Sequence, residues 1–142
     1  MPEISMSKAR SIMRSVLKKG REMGIKPLSD VVLEPGGHVE AVEREDGASP
    51  GRCEMARGKA DGGSMTGMSG AALMQRAEDQ AYFVNALNGA FGGQVLPVPG
   101  GVLVKDSRDR VIGAVGVSGD TSDNDAIAAV AGIEAAGLSG VA

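Results

Sequence analysis

The feature that most constrains this chain is the joint within residues 110–137, RVIGAVGVSGDTSDNDAIAAVAGIEAAG, where a glycine-laced apolar strand runs directly into a helix. Glycine weakens a strand interior and usually marks a bulge or a close approach to the backbone. Thr121 or Ser122 is suited to cap the helix, and two acidic residues follow in its first turn. Capping does not explain Gly116 and Gly119. The joint is therefore either a tight turn with its own caps or the floor of a site.

The chain is most simply one domain over residues 1–142, which is long enough to bury a hydrophobic core. The sequence has no Trp, one Tyr and two Phe, so the core is predicted to consist mainly of aliphatic side chains. The net charge is −3, and one basic stretch, residues 7–22, is interpreted as a solvated helix face. Because no aromatic residues lie near it to stack on bases, we expect no nucleic-acid partner.

The compartment is predicted from three simple features. Cys53 is the single cysteine, so an intrachain disulfide is impossible, which fits a reducing compartment. The N-terminal stretch MPEISMSKAR lacks the apolar core of a signal peptide. No apolar run approaches the roughly 20 residues that span a bilayer. We therefore expect a cytoplasmic protein with no membrane partner.

Periodicity and turn signals predict an α+β domain with an antiparallel sheet. The predicted order is a helix at 5–23, a hairpin turning at 35–37, a helix from Pro50 through Lys59, a glycine-rich loop at 61–70, a helix at 71–91, a hairpin turning at 107–109 and a final helix ending near Gly137. The apolar face predicted for the final helix consists of Ile127, Val130, Ala131 and Leu138. In the first hairpin, Val39 and Ala41 are predicted to share one face of their strand, opposite Val42.

Three stretches resemble the motifs of one family. EPGGHVEAVEREDGASPG is similar to a Gly-Gly-His, strand, Arg-x-Asp-Gly-Ala motif, and ARGKA to a Gly-Lys-Ala helix. PVPGGVLV and VIGAVGVSGDTSDNDAIAAV resemble a Gly-Gly pair and a Gly-x-x-Gly-Val-Ser-Gly signature. This is the GlcG/HbpS-like family, also called haem-degrading or haem-binding, which occurs as a domain of some corrinoid adenosyltransferases. The chain departs from the pattern at Glu45, where members often have Met, and in the glycine-rich segment after Ala60.

The resemblance implies a five-stranded antiparallel sheet packed with helices, in homo-oligomers built from dimers up to an octamer. Members are diverse: some bind haem or iron as redox sensors, and others act on small pathway intermediates, so the fold does not decide the function. The resemblance also makes close backbone approach, by a ligand or a neighbouring chain, the better explanation of Gly116 and Gly119.

Familiar ligand and nucleophile patterns receive little support. Haem ligation needs His, Cys, Met or Tyr, and none of these residues stands in a c-type attachment motif. His38 follows a Gly-Gly turn and has a structural interpretation. One His and one Cys cannot form a closed zinc site, and GAVGVSG lacks the spacing of a dinucleotide loop. We therefore expect no metal and no organic cofactor, with haem as the alternative.

A pocket rich in acid–base groups is expected between REDG, GKA and GVSG. The predicted catalytic residues are Lys59, Tyr82 and Asp46, with lysine as a base, an acid or a Schiff-base amine. The predicted substrate-binding residues are Arg44, His38, Gly100, Gly101, Ser118, Gly119 and Asp125. Arg44 is the preferred anion anchor. Structural alternatives stay open, since Asp125 also suits the helix dipole and Arg44 with Asp46 also suits a surface ion pair.

The leading hypothesis is a cofactor-independent lyase of the C–C cleaving, retro-aldol type, or an isomerase, acting on an aromatic or organic-acid catabolic intermediate. The alternative is a haem- or corrinoid-linked binding or sensor protein. A third possibility is a purely structural oligomer without a ligand.

Overall fold

The computed structural model describes residues 2–142. The chain forms, in order, α1 (Met6–Met23), β1 (Ser29–Leu33), β2 (Val39–Arg44), α2 (Arg52–Thr66), α3 (Gly70–Asp79), α4 (Ala81–Ala90), β3 (Gly101–Lys105), β4 (Val111–Ser118), α5 (Ser122–Ala135) and β5 (Ser139–Val141). None of the helices in this range is long and apolar enough to cross a membrane.

The five strands form one antiparallel sheet in the order β2-β1-β4-β3-β5. Helices α1 and α5 pack against each other and cover one face of the sheet, and α2 covers the other face. Successive strand residues point to opposite faces, so Val32 faces α1 and α5, whereas Val31 and Leu33 face α2. The predicted α+β class and five-stranded antiparallel sheet are confirmed.

Helix α1 forms where its periodicity predicts it. Ser5 caps its start by accepting a hydrogen bond from the Lys8 backbone N–H, and Gly24 ends it in the left-handed conformation. The predicted stripe is fully buried or nearly so: Ala9, Ile12, Met13 and Val16.

The predicted buried face of α5 is wrong in part, since Val130 and Leu138 do pack against the core. Ile127 is 50% exposed, and the residues that face the sheet and α1 are Ala128, Ala129, Gly132 and Ile133. A Cβ on Gly132 would collide with Val16 and the α1 backbone. Close packing of two helices therefore selects the side with small residues, although the opposite side is also apolar.

Helix α2 continues through the predicted glycine-rich loop and ends only at Gly67. Gly62 and Gly63 are buried within it, where a Cβ on Gly62 would lie 2.8 Å from Leu73 and one on Gly63 would lie 3.1 Å from Leu103. The glycines weaken the helix locally, but they allow α2 to approach α3 and the sheet closely. Tertiary packing thus overrides propensity here.

The predicted single helix at 71–91 is two helices, α3 and α4. Gln80 breaks them apart with φ −143° and ψ 67°, outside the helical region. Helix α4 packs mainly on α3, and Arg76 lies over the Phe83 ring at 4.3 Å.

Both hairpins form as predicted, but β2 carries an irregularity. Val32 pairs with Ala41 and Leu33 pairs with Val39, so Glu40 is the extra residue of a bulge. The bulge interrupts alternation, and Val39 and Val42 line the same cleft. The prediction that Val39 shares a face with Ala41 is therefore wrong.

Candidate functional site

A buried ion pair joins the two helical layers at the C-terminal end of β4. Lys59 on α2 is 1% exposed and Asp125 on α5 is 0% exposed. The Lys59 ammonium donates to Asp125 Oδ2 and to the Val117 carbonyl oxygen, each at 3.0 Å. Asp125 Oδ1 also accepts from the Asp120 backbone N–H at 2.9 Å, and Oδ2 lies 3.4 Å from the Gly119 nitrogen.

Glycines at this end of the sheet make room for the lysine and its helix. A Cβ on Gly100 would lie 2.9 Å from Lys59 Cδ, and one on Gly101 would collide with the Lys59 carbonyl. A Cβ on Gly116 would collide with the Ala56 carbonyl oxygen, and one on Gly119 would collide with the Pro27 carbonyl oxygen. The close approach predicted at Gly116 and Gly119 is made by other segments of the same chain.

Two further polar groups adjoin the pair. Arg52 donates to the Ser118 hydroxyl at 3.1 Å, and Ser118 is buried opposite Ser29. Burial lowers the pKa of Lys59 below its usual range, and the Asp125 carboxylate opposes that shift. The structure therefore places six of the predicted residues at this end of the sheet: Lys59, Ser118, Asp125, Gly100, Gly101 and Gly119.

The predicted anion anchor and base lie elsewhere. Arg44 on β2 pairs with Ser29 on β1, and Ser29 pairs with Ser118 on β4. The backbones of Arg44 and Ser118 are therefore separated by two strand spacings, or about 10 Å. Its guanidinium donates to the Ala48 carbonyl oxygen at 2.7 Å. Arg44 and Asp46 line a separate cleft at the C-terminal end of α1. They do not join Lys59.

His38 and Tyr82 are surface residues. The His38 side chain is 84% exposed at the hairpin tip, and its Nδ1 lies 2.8 Å from Glu34 Oε1. Tyr82 is 72% exposed on α4, where its hydroxyl accepts from Gln80 at 2.9 Å. The three residues predicted as catalytic, Lys59, Tyr82 and Asp46, are thus not gathered in one site.

A largely apolar opening, which we call the hairpin cleft, lies against α2. It has a volume of about 460 Å³ between the β1–β2 hairpin, α2 and residues 93–94. Its lining consists of Val31, Val39, Val42, Cys53, Glu54, Arg57, Gly58, Asp61, Gly93 and Gln94. Three valines from the hairpin form its apolar wall, and α2 supplies its polar groups.

Within the hairpin cleft, Arg57 is held by two hydrogen bonds. Its Nε donates to Asp61 Oδ1 at 3.0 Å, and its Nη2 donates to the Gly37 carbonyl oxygen at 3.1 Å. Asp61 is 0% exposed, whereas the Arg57 side chain is 39% exposed. A buried carboxylate therefore orients a guanidinium at the cleft surface.

Sequence reasoning missed this row of residues. Cys53, Arg57 and Asp61 are spaced by four along α2 and lie on one helix face. The spacing is visible in CEMARGKAD, but it has meaning only if the helix continues past Lys59 into the glycine-rich segment. Among residues 2–142, no group of three His, Cys, Asp or Glu side chains is placed to hold a metal ion.

The fold and this arrangement of helices on a five-stranded antiparallel sheet recur in solved structures. A PduOC–haem complex has a TM-score of 0.85 at 19% identity, with 96% of both chains covered. The Klebsiella pneumoniae protein ORFY has a TM-score of 0.85 at 23% identity, covering 96% of this chain and 92% of its own. HbpS has a TM-score of 0.81 at 22% identity, covering 93% and 89%. No curated protein sequence matches the chain.

By its fold, this protein is an α+β domain of the HbpS type. Residues 4–134 match the HbpS-like family, described as haem degrading protein HbpS-like. The chain belongs to this family.

Proposed function

We propose that this protein binds a mainly apolar molecule bearing a carboxylate in the hairpin cleft, and that haem is that molecule. The observation that carries the proposal is Arg57, a guanidinium oriented by buried Asp61 at the surface of an apolar cleft. The Arg57 bonds use Nε and Nη2, so Nη1 has no partner among residues 2–142. Its N–H groups are available to a carboxylate.

Pre-orientation favours binding because less side-chain freedom is lost when the ligand arrives. The bonds to Asp61 and to the Gly37 carbonyl hold the guanidinium plane before any ligand is present. The Asp61 carboxylate neutralises the arginine in the free protein, and it keeps this position when a ligand carboxylate adds to Nη1. Arg57 therefore replaces Arg44 as the anion anchor that we propose.

The residues of the hairpin cleft fit the chemistry of haem. A porphyrin needs apolar walls, and Val31, Val39 and Val42 supply one. Its propionates need a cation, which Arg57 supplies. Its iron needs a His, Cys, Met or Tyr ligand, and Cys53 is the residue of these types that lines the cleft. Family membership and the PduOC–haem complex among the structural neighbours support haem over other carboxylated apolar molecules.

When bound, haem would supply iron for one-electron or oxygen chemistry. The protein's own contribution is to hold the carboxylates at Arg57 and to exclude water from one face with the hairpin valines. The ligand can enter the cleft from the side of β2, because Val39 and Val42 on this strand are each 47% exposed.

The test is a haem titration followed by absorbance, with variants at the proposed anchor. We expect saturable binding by the wild type and a loss of about tenfold to a hundredfold in Arg57→Gln, since a hydrogen bond to a charged group contributes about 1.5–3 kcal/mol. Arg57→Lys should not restore the affinity, because an ammonium lacks the planar fork.

Two controls separate the cleft from general charge effects. Arg44→Gln removes the same charge outside the hairpin cleft and should bind haem as the wild type does. Haem dimethyl ester, which lacks free carboxylates, should bind the wild type and Arg57→Gln equally. Equal haem affinity in Arg57→Gln and Arg44→Gln would refute Arg57 as the anchor.

The cofactor-independent lyase or isomerase is the second candidate function. The buried Lys59, whose pKa is lowered by burial, supports it as a proton-transfer group. We would screen aromatic and carboxylic acids by thermal shift and assay turnover of any stabilising compound. Unchanged turnover in Lys59→Met and Tyr82→Phe would exclude these residues from catalysis.

We also propose a homo-oligomer built from dimers. It is supported by the apolar outer side of α5, where Ile127 is 50% exposed and lines a groove with Val130 and Ala131. Analytical ultracentrifugation tests it, and a monomer at all concentrations would contradict it.

A further inference from the structure

We propose that the outer face of α4 binds the same face of a second copy of this chain. This surface, which we call the α4 face, consists of the exposed residues Tyr82, Phe83, Ala86 and Ala90. The contact is separate from the hairpin cleft and does not depend on haem. It adds a second interface to the homo-oligomer proposed above, whose other interface is the outer side of α5.

Helix α4 is poorly covered by its own chain. Within Ala81–Ala90, Val84 is the one buried residue, and the helix packs mainly on α3. Toward solvent it presents Tyr82 at 72% and Phe83 at 36% exposure. With Phe91, these are all the aromatic residues of the sequence. Exposed aromatic side chains on an apolar surface are typical of protein–protein interfaces.

The segment that contains the α4 face carries no charge. Residues 80–104 contain no Asp, Glu, Lys, Arg or His, although charged residues make up 23% of the chain. A twofold-symmetric contact places a surface opposite itself, so a charged surface would repel its own copy, whereas an uncharged one does not. The cores of protein interfaces are likewise depleted in charged residues. The α4 face is therefore suited to self-association.

The two ends of α4 are electrostatically uncompensated. Its N-cap, Gln80, makes no side-chain capping bond, and the helix has no acidic residue in its first turn and no basic residue in its last. Each of the other four described helices has a side-chain cap or a compensating charge. A twofold axis perpendicular to α4 would set the two copies antiparallel. The positive N-terminal end of each helix would then lie beside the negative C-terminal end of its partner.

A lipid surface is the main alternative occupant for an exposed apolar helix. Helices that lie on membranes are usually rich in lysine and arginine on their polar face, and these residues bind anionic headgroups. Helix α4 has neither residue. Its lack of charge and its uncompensated ends therefore favour a second copy of the chain.

The experiment measures molecular mass by analytical ultracentrifugation for the wild type, Ala86→Glu, Ile127→Glu and the double variant. Ala86 is exposed, and glutamate is a good helix former, so Ala86→Glu should fold while bringing two carboxylates together across the twofold axis. Two different twofold interfaces on each chain produce an assembly larger than a dimer. We expect at least a tetramer for the wild type, a dimer for each single variant and a monomer for the double variant.

Two more variants make the comparison specific. Val111→Glu places the same charge on a residue that is 43% exposed outside both faces, and it should keep the wild-type mass. Tyr82→Glu, on the α4 face, should reduce the mass as Ala86→Glu does. Circular dichroism verifies that each variant is folded. Haem titration of Ala86→Glu should match the wild type, because the hairpin cleft is unchanged.

Each outcome supports or overturns the α4 interface. If Ala86→Glu and Tyr82→Glu keep the wild-type mass, the interface is overturned, whatever Ile127→Glu does. If the wild type is a dimer that Ala86→Glu dissociates and Ile127→Glu does not, the α4 interface stands and the α5 interface is overturned. A monomeric wild type overturns both. Cosedimentation of that monomer with vesicles of phosphatidylcholine and phosphatidylserine would identify a lipid surface as the occupant instead.

Discussion

Asp125→Asn removes the carboxylate charge that faces the buried Lys59 ammonium, and we expect it to be the most informative single change to this fold. The asparagine keeps the size of the side chain and one carbonyl oxygen, which can still accept from the Asp120 backbone N–H. The lysine keeps the Val117 carbonyl, 3.0 Å from Nζ, as its remaining acceptor. The ammonium group of Lys59, a residue that is 1% exposed, then lies between α2 and α5 without a carboxylate to pair with.

Breaking a buried ion pair from one side costs about 3–5 kcal/mol. Because domains of this kind have about 5–15 kcal/mol in total, the variant should be marginally stable. Lys59→Met is the matched control, since Asp125 would keep its contacts to the Gly119 and Asp120 backbone nitrogens. We expect the control to lose about 1–3 kcal/mol, less than Asp125→Asn.

The pH dependence provides a second readout. Burial lowers the pKa of Lys59, and Asp125 opposes that shift, so Asp125→Asn should lower the pKa of Lys59 further. Between this lowered pKa and the usual lysine value of about 10.4, the unfolded state binds more protons, so stability rises with pH in that window. The destabilisation of Asp125→Asn should therefore shrink as pH is raised from 7 toward 10.

Urea unfolding followed by far-UV circular dichroism measures these free energies, because the chain has no Trp and a single Tyr. The reasoning is refuted if Asp125→Asn unfolds within about 1 kcal/mol of the wild type at pH 7. It is also refuted if Lys59→Met is the more damaging of the two, or if the loss grows with pH.

Two further predictions concern packing and capping. Gly116→Ala would place a Cβ on the Ala56 carbonyl oxygen, and we expect the free energy of unfolding in urea to fall by about 3 kcal/mol or more. Gly89→Ala is the control, because no atom lies within 4 Å of the added Cβ, and it should raise the free energy of unfolding by about 0.4–1 kcal/mol. Equal effects of the two changes would contradict the close approach of α2. The Asn124 side chain and neighbouring backbone N–H groups lower the pKa of Asp120 to about 2, so its contribution to stability is present above about pH 4 and is lost as pH falls toward 2. An NMR titration should find that low value in the wild type and a higher one in Asn124→Ala; an unchanged value would exclude the asparagine as its main cause.

Sequence patterns predicted those parts of the fold whose causes are local. The end of α1 at residue 23, the turn at 35–37 and the Thr121 cap of α5 each depend on residues within one turn. Interactions of this range are readable from spacing alone. The same reasoning failed at Gly62, where the low helix propensity of glycine competes with a tertiary contact to α3.

The candidate site divides in the same way. Lys59, Ser118 and Asp125 were predicted together because motifs of the family resemblance placed them on adjoining segments. The structure bonds Lys59 to Asp125 and to the carbonyl oxygen of Val117, the residue before Ser118. Tyr82 was predicted as a catalytic residue because the chain has few aromatic residues. Scarcity does not indicate where a side chain lies in the fold. It lies on α4, which packs mainly on α3 and leaves the side chain 72% exposed.

The hairpin cleft could not be predicted because it depends on three long-range facts. The bulge at Glu40 turns Val39 and Val42 to one side, α2 extends to Asp61, and residues 93–94 close over α2. None of these is encoded in a local pattern.

The sequence by itself determined the α+β class, the order of the main helices and hairpins, and the family, since periodicity, caps and turn residues act over a few positions. Tertiary structure alone decided which apolar side of α5 is buried, which glycines admit a neighbouring backbone, and that Arg57 rather than Arg44 faces an apolar cleft. The physical reason is that burial and close approach depend on residues far apart in the chain, whose distances are set only when the two helical layers close on the sheet.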